Sequence, residues 1–307
     1  MLPNYLIENF ENTIKNYFPS DSANAWKEKY KKKIEQIDHD EPWLTLIACY
    51  AVLGNWKNTN KDNIDALNEI FQRSGLEKTV LFNSITKVKV EEKLPEIKEY
   101  RAYLKEAFTK DNFHLYPDRR TSINQKIITK TASFEGNTNL DLLIEGMSNN
   151  RKITCFIEAK FLSDISYQTT YNPVRDQIIR NIDCGIDYVN GNKSEVDFKD
   201  FYFLLLTPQI FKSKNFGLSK TSLLNQFGAN SSRFYCYKME EYSNYQYLKQ
   251  NLPHRNLKDS EWRSIAKNIG WLSFEDFYYS CRKYSTFINS SEEEAIIRYF
   301  EERNLTP

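Results

Sequence analysis

The chain has 307 residues, 40% hydrophobic and 27% charged, enough apolar material for one large domain or two modest ones in a soluble globular protein. Its longest apolar runs, Leu44 to Leu53 and Phe201 to Leu206, fall short of the roughly 20 residues that cross a bilayer, and Met1-Leu2-Pro3-Asn4 opens no basic, apolar leader. The 42 basic and 41 acidic side chains exclude a uniformly cationic nucleic-acid binder, and five scattered cysteines exclude a disulfide framework and point to reduced thiols in the cytoplasm.

Tyr5 to Phe18, Ala23 to Ile37 and Trp43 to Leu53 carry apolar residues at three- and four-residue spacing and are predicted as helices. Ser20-Asp21-Ser22 and Asp40-Glu41-Pro42 supply start signals between them. Asp62 to Phe71 makes a fourth helix, and Pro95 to Phe108 a fifth with proline in its first turn. The period then changes. Lys126 to Phe134, Leu140 to Gly146, Lys152 to Phe161 and Phe201 to Thr207 are rich in Ile, Leu, Phe and Thr and read as strands. Before the last of these, Asn172-Pro173 opens a helix from Val174 to Val189, with Ile178, Ile182 and Val189 on one stripe. Arg233 to Met239 adds a strand, and helices return from Tyr242 onward. The expected organisation is a helical region over 1–93, an α/β core over 94–240 and a second helical region over 241–307.

Several chemistries lack their residues. There is no Cys-x-x-Cys pair, and His39, His114 and His254 are too dispersed for a zinc pattern. Neither a Gly-x-Ser-x-Gly elbow nor a Gly-x-Gly-x-x-Gly fingerprint occurs. Gly191-Asn192-Lys193-Ser194 reads as a polar turn, because its glycine does not adjoin the lysine as in a phosphate loop.

The informative stretch runs from Asn139 to Lys160. Side chains two apart on a strand share a face, so Glu158 and Lys160 project together at the end of an apolar run. A tight hairpin at Asn149-Asn150, a pair that tolerates left-handed backbone, sets Ser148 against Arg151 and Asp141 against Glu158. Directly opposed side chains start about 5 Å apart. Two carboxylates side by side repel, and a bound Mg²⁺ relieves the repulsion while keeping waters and accepting phosphate oxygens. A neighbouring lysine can orient or deprotonate a water and stabilise charge on a phosphorane. The competing reading is an exposed alternating strand with a cross-strand ion pair. Glu-x-Lys is a cheap pattern, recurring at Glu91-x-Lys93 and Glu96-x-Lys98, but in charged or loop-like surroundings.

Asp141, then Glu158-Ala159-Lys160 ending the next strand, then an amphipathic helix, resembles the PD-(D/E)XK nuclease superfamily. The resemblance covers roughly Pro95 to Thr207 and implies a restriction-endonuclease-like αβββαβ core with a mixed sheet. It implies metal ligation by Asp141 and Glu158 with help from the Ala159 carbonyl, and action of Lys160 on the water nucleophile. Gln177 and Arg180 on the following helix become candidates for holding substrate or metal-bound water, and Glu99 or Glu106 for a further ligand. Leu140 stands where many members have proline, and Asn181 where some exonuclease-type members have tyrosine.

The acid-free stretch from Phe201 to Met239 supplies Lys212, Lys214, Lys220 and Arg233 as phosphate contacts, and Arg119 and Arg120 form a second basic pair. The expectation is a cytoplasmic Mg²⁺-dependent nuclease, with Mn²⁺ as substitute, cutting double-stranded DNA in restriction or phage defence. No membrane is involved, and a homodimer would serve double-strand cutting. The alternatives are a non-cleaving binding protein with the same fold, and an RNA- or structure-specific nuclease.

Overall fold

The computed structural model describes residues 13–18, 41–76, 81–109, 136–161, 165, 175–191, 198–212 and 239–306. The expected helix over 23–37 and the expected strands at 126–134 and 233–239 lie wholly or almost wholly outside them.

The fold is α/β, built on one five-stranded mixed sheet. Helices α1 (Glu41–Leu53) and α2 (Lys61–Gln72) come first, followed by β1 (Ser84–Leu94) and α3 (Lys98–Thr109). A hairpin of β2 (Thr138–Ser148) and β3 (Arg151–Ala159) leads to α4 (Gln177–Asn190) and β4 (Phe201–Thr207). The C-terminal part holds α5 (Tyr245–Asn251), α6 (Asp259–Lys267), β5 (Ile269–Ser273), α7 (Phe274–Lys283) and α8 (Ser290–Glu301). The sheet order is β1-β2-β3-β4-β5, antiparallel across the first three strands and parallel across the last three.

The hairpin has the expected register, Ser148 opposite Arg151 through Leu142 opposite Ile157. Asn149 and Asn150 take φ of 47° and 65°, the left-handed pair that a two-residue turn needs to match strand twist. α1 is buried on every side from Trp43 to Leu53, as an all-round apolar helix must be. It packs with α2 and α7, and also touches β1, β2 and β3.

Alternation within β2 separates the faces of the sheet. At Gly146 an added Cβ would meet the Phe82 ring at 2.6 Å, and Phe82 packs edge-to-face against Phe71 of α2. The adjacent Glu145 instead accepts from Tyr188 of α4. α4 therefore covers the face opposite α2. It sits close because Gly185 has no side chain: a Cβ there would fall 2.1 Å from the Phe201 ring.

Three sequence expectations change. Ser84–Leu94 is a strand within the stretch expected to be helical, and Glu91-x-Lys93 belongs to it. Val88 and Val90 are buried between lysines, a period of two that the surrounding charge concealed. β5 likewise interrupts the C-terminal helices, so a single sheet draws strands from all three expected regions. α4 begins at Gln177 with Asp176 as its cap, because the Asp176 carboxylate accepts from Ile179 N, and not at Val174.

The outer side of α4 is fastened by a buried charge cluster. Asp183 Oδ2 lies 2.8 Å from Arg175 Nη1 and 2.9 Å from His254 Nε2, while Oδ1 accepts from Arg255 Nε at 2.6 Å. Burial alone would raise the Asp183 pKa, but Arg175, His254 and Arg255 hold it well below the usual carboxylate range. Replacing Asp183 by Asn removes the carboxylate that Arg175 and Arg255 share, leaving Arg255 with Asp187 at 3.3 Å and the more distant Glu99. The expected cost is about 3–5 kcal/mol in urea unfolding at neutral pH. Because the folded-state pKa is depressed, the native chain's advantage over Asp183→Asn is full above the unfolded carboxylate value, roughly pH 3.9, and shrinks as pH falls below it. A pH-independent difference would contradict this account.

Candidate active site

Extending the hairpin register by one pair brings Asp141 of β2 opposite Glu158 of β3. Asp141 Oδ2 accepts from Ala159 N at 2.8 Å, which turns the carboxyl toward the end of β3. Glu158 and Lys160 project to the same side, and Lys160 Nζ lies 2.6 Å from Glu158 Oε1. Glu158 is fully buried and Lys160 is 7% exposed, whereas Asp141 is half-buried. The backbone beyond β3 is held by Lys160 N donating to Leu206 O of β4.

α4 supplies two more partners. Gln177 Nε2 donates to Glu158 Oε1 at 2.5 Å, and Asn181 Nδ2 donates to Oε2 at 2.6 Å. Positions four apart share a helix face, so the two amides reach one carboxylate together. Asn181 is completely buried, and its Oδ1 has no hydrogen-bond partner among the described residues. A third acid comes from a distant part of the chain: Glu41, in the first turn of α1, places Oε2 3.6 Å from Lys160 Nζ.

The electrostatics follow from three acids around one ammonium. Burial and then the charge of Glu158 raise the Asp141 pKa well above the carboxylate range; Lys160 and the Ala159 N–H oppose the shift. Glu158 is raised as well, chiefly by burial, with Lys160 opposing. Two neighbouring buried carboxyls disfavour a second negative charge, so the pair takes up a proton more readily than either acid would in water. Burial on its own would lower the Lys160 pKa, but Glu158, Asp141 and Glu41 overcome that and drive it upward. Lys160 is thus held as a cation.

The other residues expected at the site lie elsewhere. Glu99 lies 3.8 Å from Arg255, beside the Asp183 cluster, and Glu106 is exposed on α3. Arg180 donates to the carbonyls of Gly136 and Asn137 at 3.2 and 3.3 Å, fastening the entry to β2. Glu145, on the Asp141 face, is engaged by Lys152 at 2.6 Å and by Tyr188. Lys212 donates to Trp271 O at 3.0 Å and is half-buried. Lys214, Lys220, Arg233, Arg119 and Arg120 lie outside the described residues.

Sequence reading passed over Glu41 and Asn181 as site residues. Glu41 was legible only as part of a helix start, since no local pattern couples position 41 to position 160. Asn181 carried a usable signal, its four-residue spacing from Gln177.

The donor set suits a hard cation that draws on one or two carboxylates and fills its remaining positions with water or phosphate oxygens, as Mg²⁺ does. Among the described residues, no three His, Cys, Asp or Glu side chains are gathered to hold a metal by themselves. Also among them, no helix is long and apolar enough to cross a membrane. Comparison with known proteins finds no matching family model, no matching curated protein and no matching solved structure.

A raised carboxyl pKa means that folding favours the protonated form of Asp141. Its contribution is present at low pH and is lost as pH rises through the folded-state value. Asn at 141 keeps an acceptor for Ala159 N and removes the repulsion. In chelator, Asp141→Asn is expected to gain stability over the native chain as pH rises from the unfolded carboxylate value, roughly 3.9, toward the raised folded-state value, read as a widening gap in Tm. A gap of constant size would show that the carboxyls do not interact.

Proposed function

We propose that this chain is a Mg²⁺-dependent nuclease acting on DNA phosphodiester bonds. The observation that carries the reading is the convergence of Asp141, Glu158 and Lys160 at the end of β3, with Gln177 reaching in from the helix that follows. The resemblance to PD-(D/E)XK nucleases supports it, and so does the order of elements. An antiparallel β1-β2-β3 set, a covering helix and a parallel β4 correspond to a restriction-endonuclease-like core if α3 is an insertion between its first two strands. On that correspondence the leading core helix is α1, and its Glu41 takes the place sought at Glu99 or Glu106.

Asp141 and Glu158 would hold the cation, with the Ala159 carbonyl beside them. When bound, Mg²⁺ supplies Lewis acidity toward a phosphoryl oxygen and lowers the pKa of a coordinated water. The chain's own contribution is positional and electrostatic. Gln177 and Asn181 fix the plane of the Glu158 carboxylate. Lys160, kept protonated by its acidic neighbours, fits a donor that orients water and stabilises negative charge on the phosphorane better than a general base. A setting in restriction or phage defence, and a paired assembly for cutting both strands, follow from the resemblance alone.

One observation favours the second reading, a binding protein that does not cleave. Both oxygens of Glu158 are already occupied by Lys160, Gln177 and Asn181, a self-satisfied arrangement that a cation has to open. The two are separated by incubating supercoiled plasmid, linear duplex, single-stranded DNA and RNA with Mg²⁺, with Mn²⁺ and with chelator. The nuclease reading expects metal-dependent cutting that falls about 100-fold or more in Lys160→Ala and in Asp141→Asn. Binding without cutting in either metal selects the second reading, and cleavage confined to RNA changes the substrate class.

A further inference from the structure

Gln177 is the first residue of α4, so its reach to Glu158 depends on where that first turn sits. The turn is fastened from outside the helix. Asp176, 1% exposed, caps α4 with Oδ1, which accepts from Ile179 N at 2.8 Å. Its Oδ2 accepts from the Tyr242 hydroxyl at 2.8 Å, 66 residues further along the chain. Tyr242 is fully buried, and burial followed by the Asp176 charge raises its pKa, so the hydroxyl stays a donor. Arg175, on the other side of the cap, lies 3.8 Å over the Tyr100 ring and bonds Asp183. The same C-terminal stretch that carries Tyr242 also carries His254 and Arg255, which grip Asp183. One side of α4 is thus anchored to residues 242–255, and the other presents Gln177 and Asn181 to Glu158.

We propose that Tyr242 is a positioning residue of the carboxylate site, acting through the Asp176 cap to hold Gln177 on Glu158. The path is short and fully bonded: Tyr242 hydroxyl, Asp176 carboxylate, first turn of α4, Gln177 amide, Glu158 carboxylate. Loss of the hydroxyl removes one of the bonds that fix the plane of the Asp176 carboxylate, the cap weakens, and the turn that carries Gln177 shifts. The consequence for cleavage rests on the nuclease reading; the positioning itself does not.

The test reads the Gln177 side chain directly. In the full chain labelled with ¹⁵N-glutamine, the Gln177 amide signal is assigned by its absence in Gln177→Ala. Tyr242→Phe is expected to move that signal toward the free side-chain position. Its hydrogen exchange should accelerate about tenfold or more, as fits the loss of a bond to a charged group. Asp176→Asn keeps a cap and offers its amide to the Tyr242 oxygen, so it should leave the signal near its native position. Asn289→Ala removes the cap of the remote helix α8 and serves as a destabilised control, lowering Tm without moving the signal. If Tyr242→Phe lowers Tm and leaves the Gln177 signal in place, Tyr242 is merely structural and the proposal is overturned. If the control moves the signal equally, the effect is general loosening and the proposal fails as well. Plasmid cleavage measured on the same proteins separates the two ideas. Movement of the signal without cleavage by the native chain retains the positioning role and rejects the nuclease.

Discussion

A buried ammonium surrounded by acids is the constraint on which the site depends. Lys160 cannot lie nearly out of contact with water as a lone cation, and Glu158 cannot be buried as a lone anion. Each makes the other tolerable, and the 2.6 Å pair is completed by two amides on Glu158 and by Glu41 near Lys160. Pairing is not neutralisation, however. Three carboxyls face one cation, and burial, with repulsion among the acids added to it, pushes the pKa values of Asp141 and Glu158 upward. A fold designed only for stability would gain by replacing such a group with packed hydrocarbon. Retaining it at the junction of four elements is the kind of local cost that marks a site.

The sheet's central part was legible because the sequence states it in two independent ways. Asn149-Asn150 fixes where the chain turns, and the apolar runs on either side fix which residues face inward, so the register follows by counting. The edges were not legible. β1 reads as a charged stretch because lysines and glutamates occupy the alternate positions, and only Val88 and Val90 reveal the period. β5 has five residues, too short for any pattern to outweigh the helices around it. The cap of α4 was misplaced because Asn172-Pro173 is the stronger signal in isolation. The start at Asp176 is chosen by tertiary partners, Tyr242 among them, that no local window contains.

Within the site the same division holds. Asp141, Glu158 and Lys160 are joined by one hairpin, and a hairpin is local. Gln177 was reachable from a resemblance, but its amide meets Glu158 only because α4 settles onto the sheet at Gly185. Glu41 arrives from more than a hundred residues away, carried by a helix whose apolar surface, and not its charge, decides where it packs. Long-range placement of a charged residue is set by its apolar neighbours, so a search for charges alone does not find it.

α4 shows how these levels combine. Its inward side offers neutral amides to a carboxylate, which orient it without cancelling its charge. Its outward side carries Asp183, whose two oxygens are engaged by Arg175, His254 and Arg255. The two kinds of contact suit different tasks. A buried ionic cluster resists movement, since withdrawing the carboxylate leaves buried charge behind. Amide-to-carboxylate bonds can be exchanged for bonds to a cation or to water at small net cost. The helix is therefore held firmly where it meets the C-terminal elements and by exchangeable bonds where it meets Glu158, so the contacts to Glu158 can change while the frame behind them stays in place.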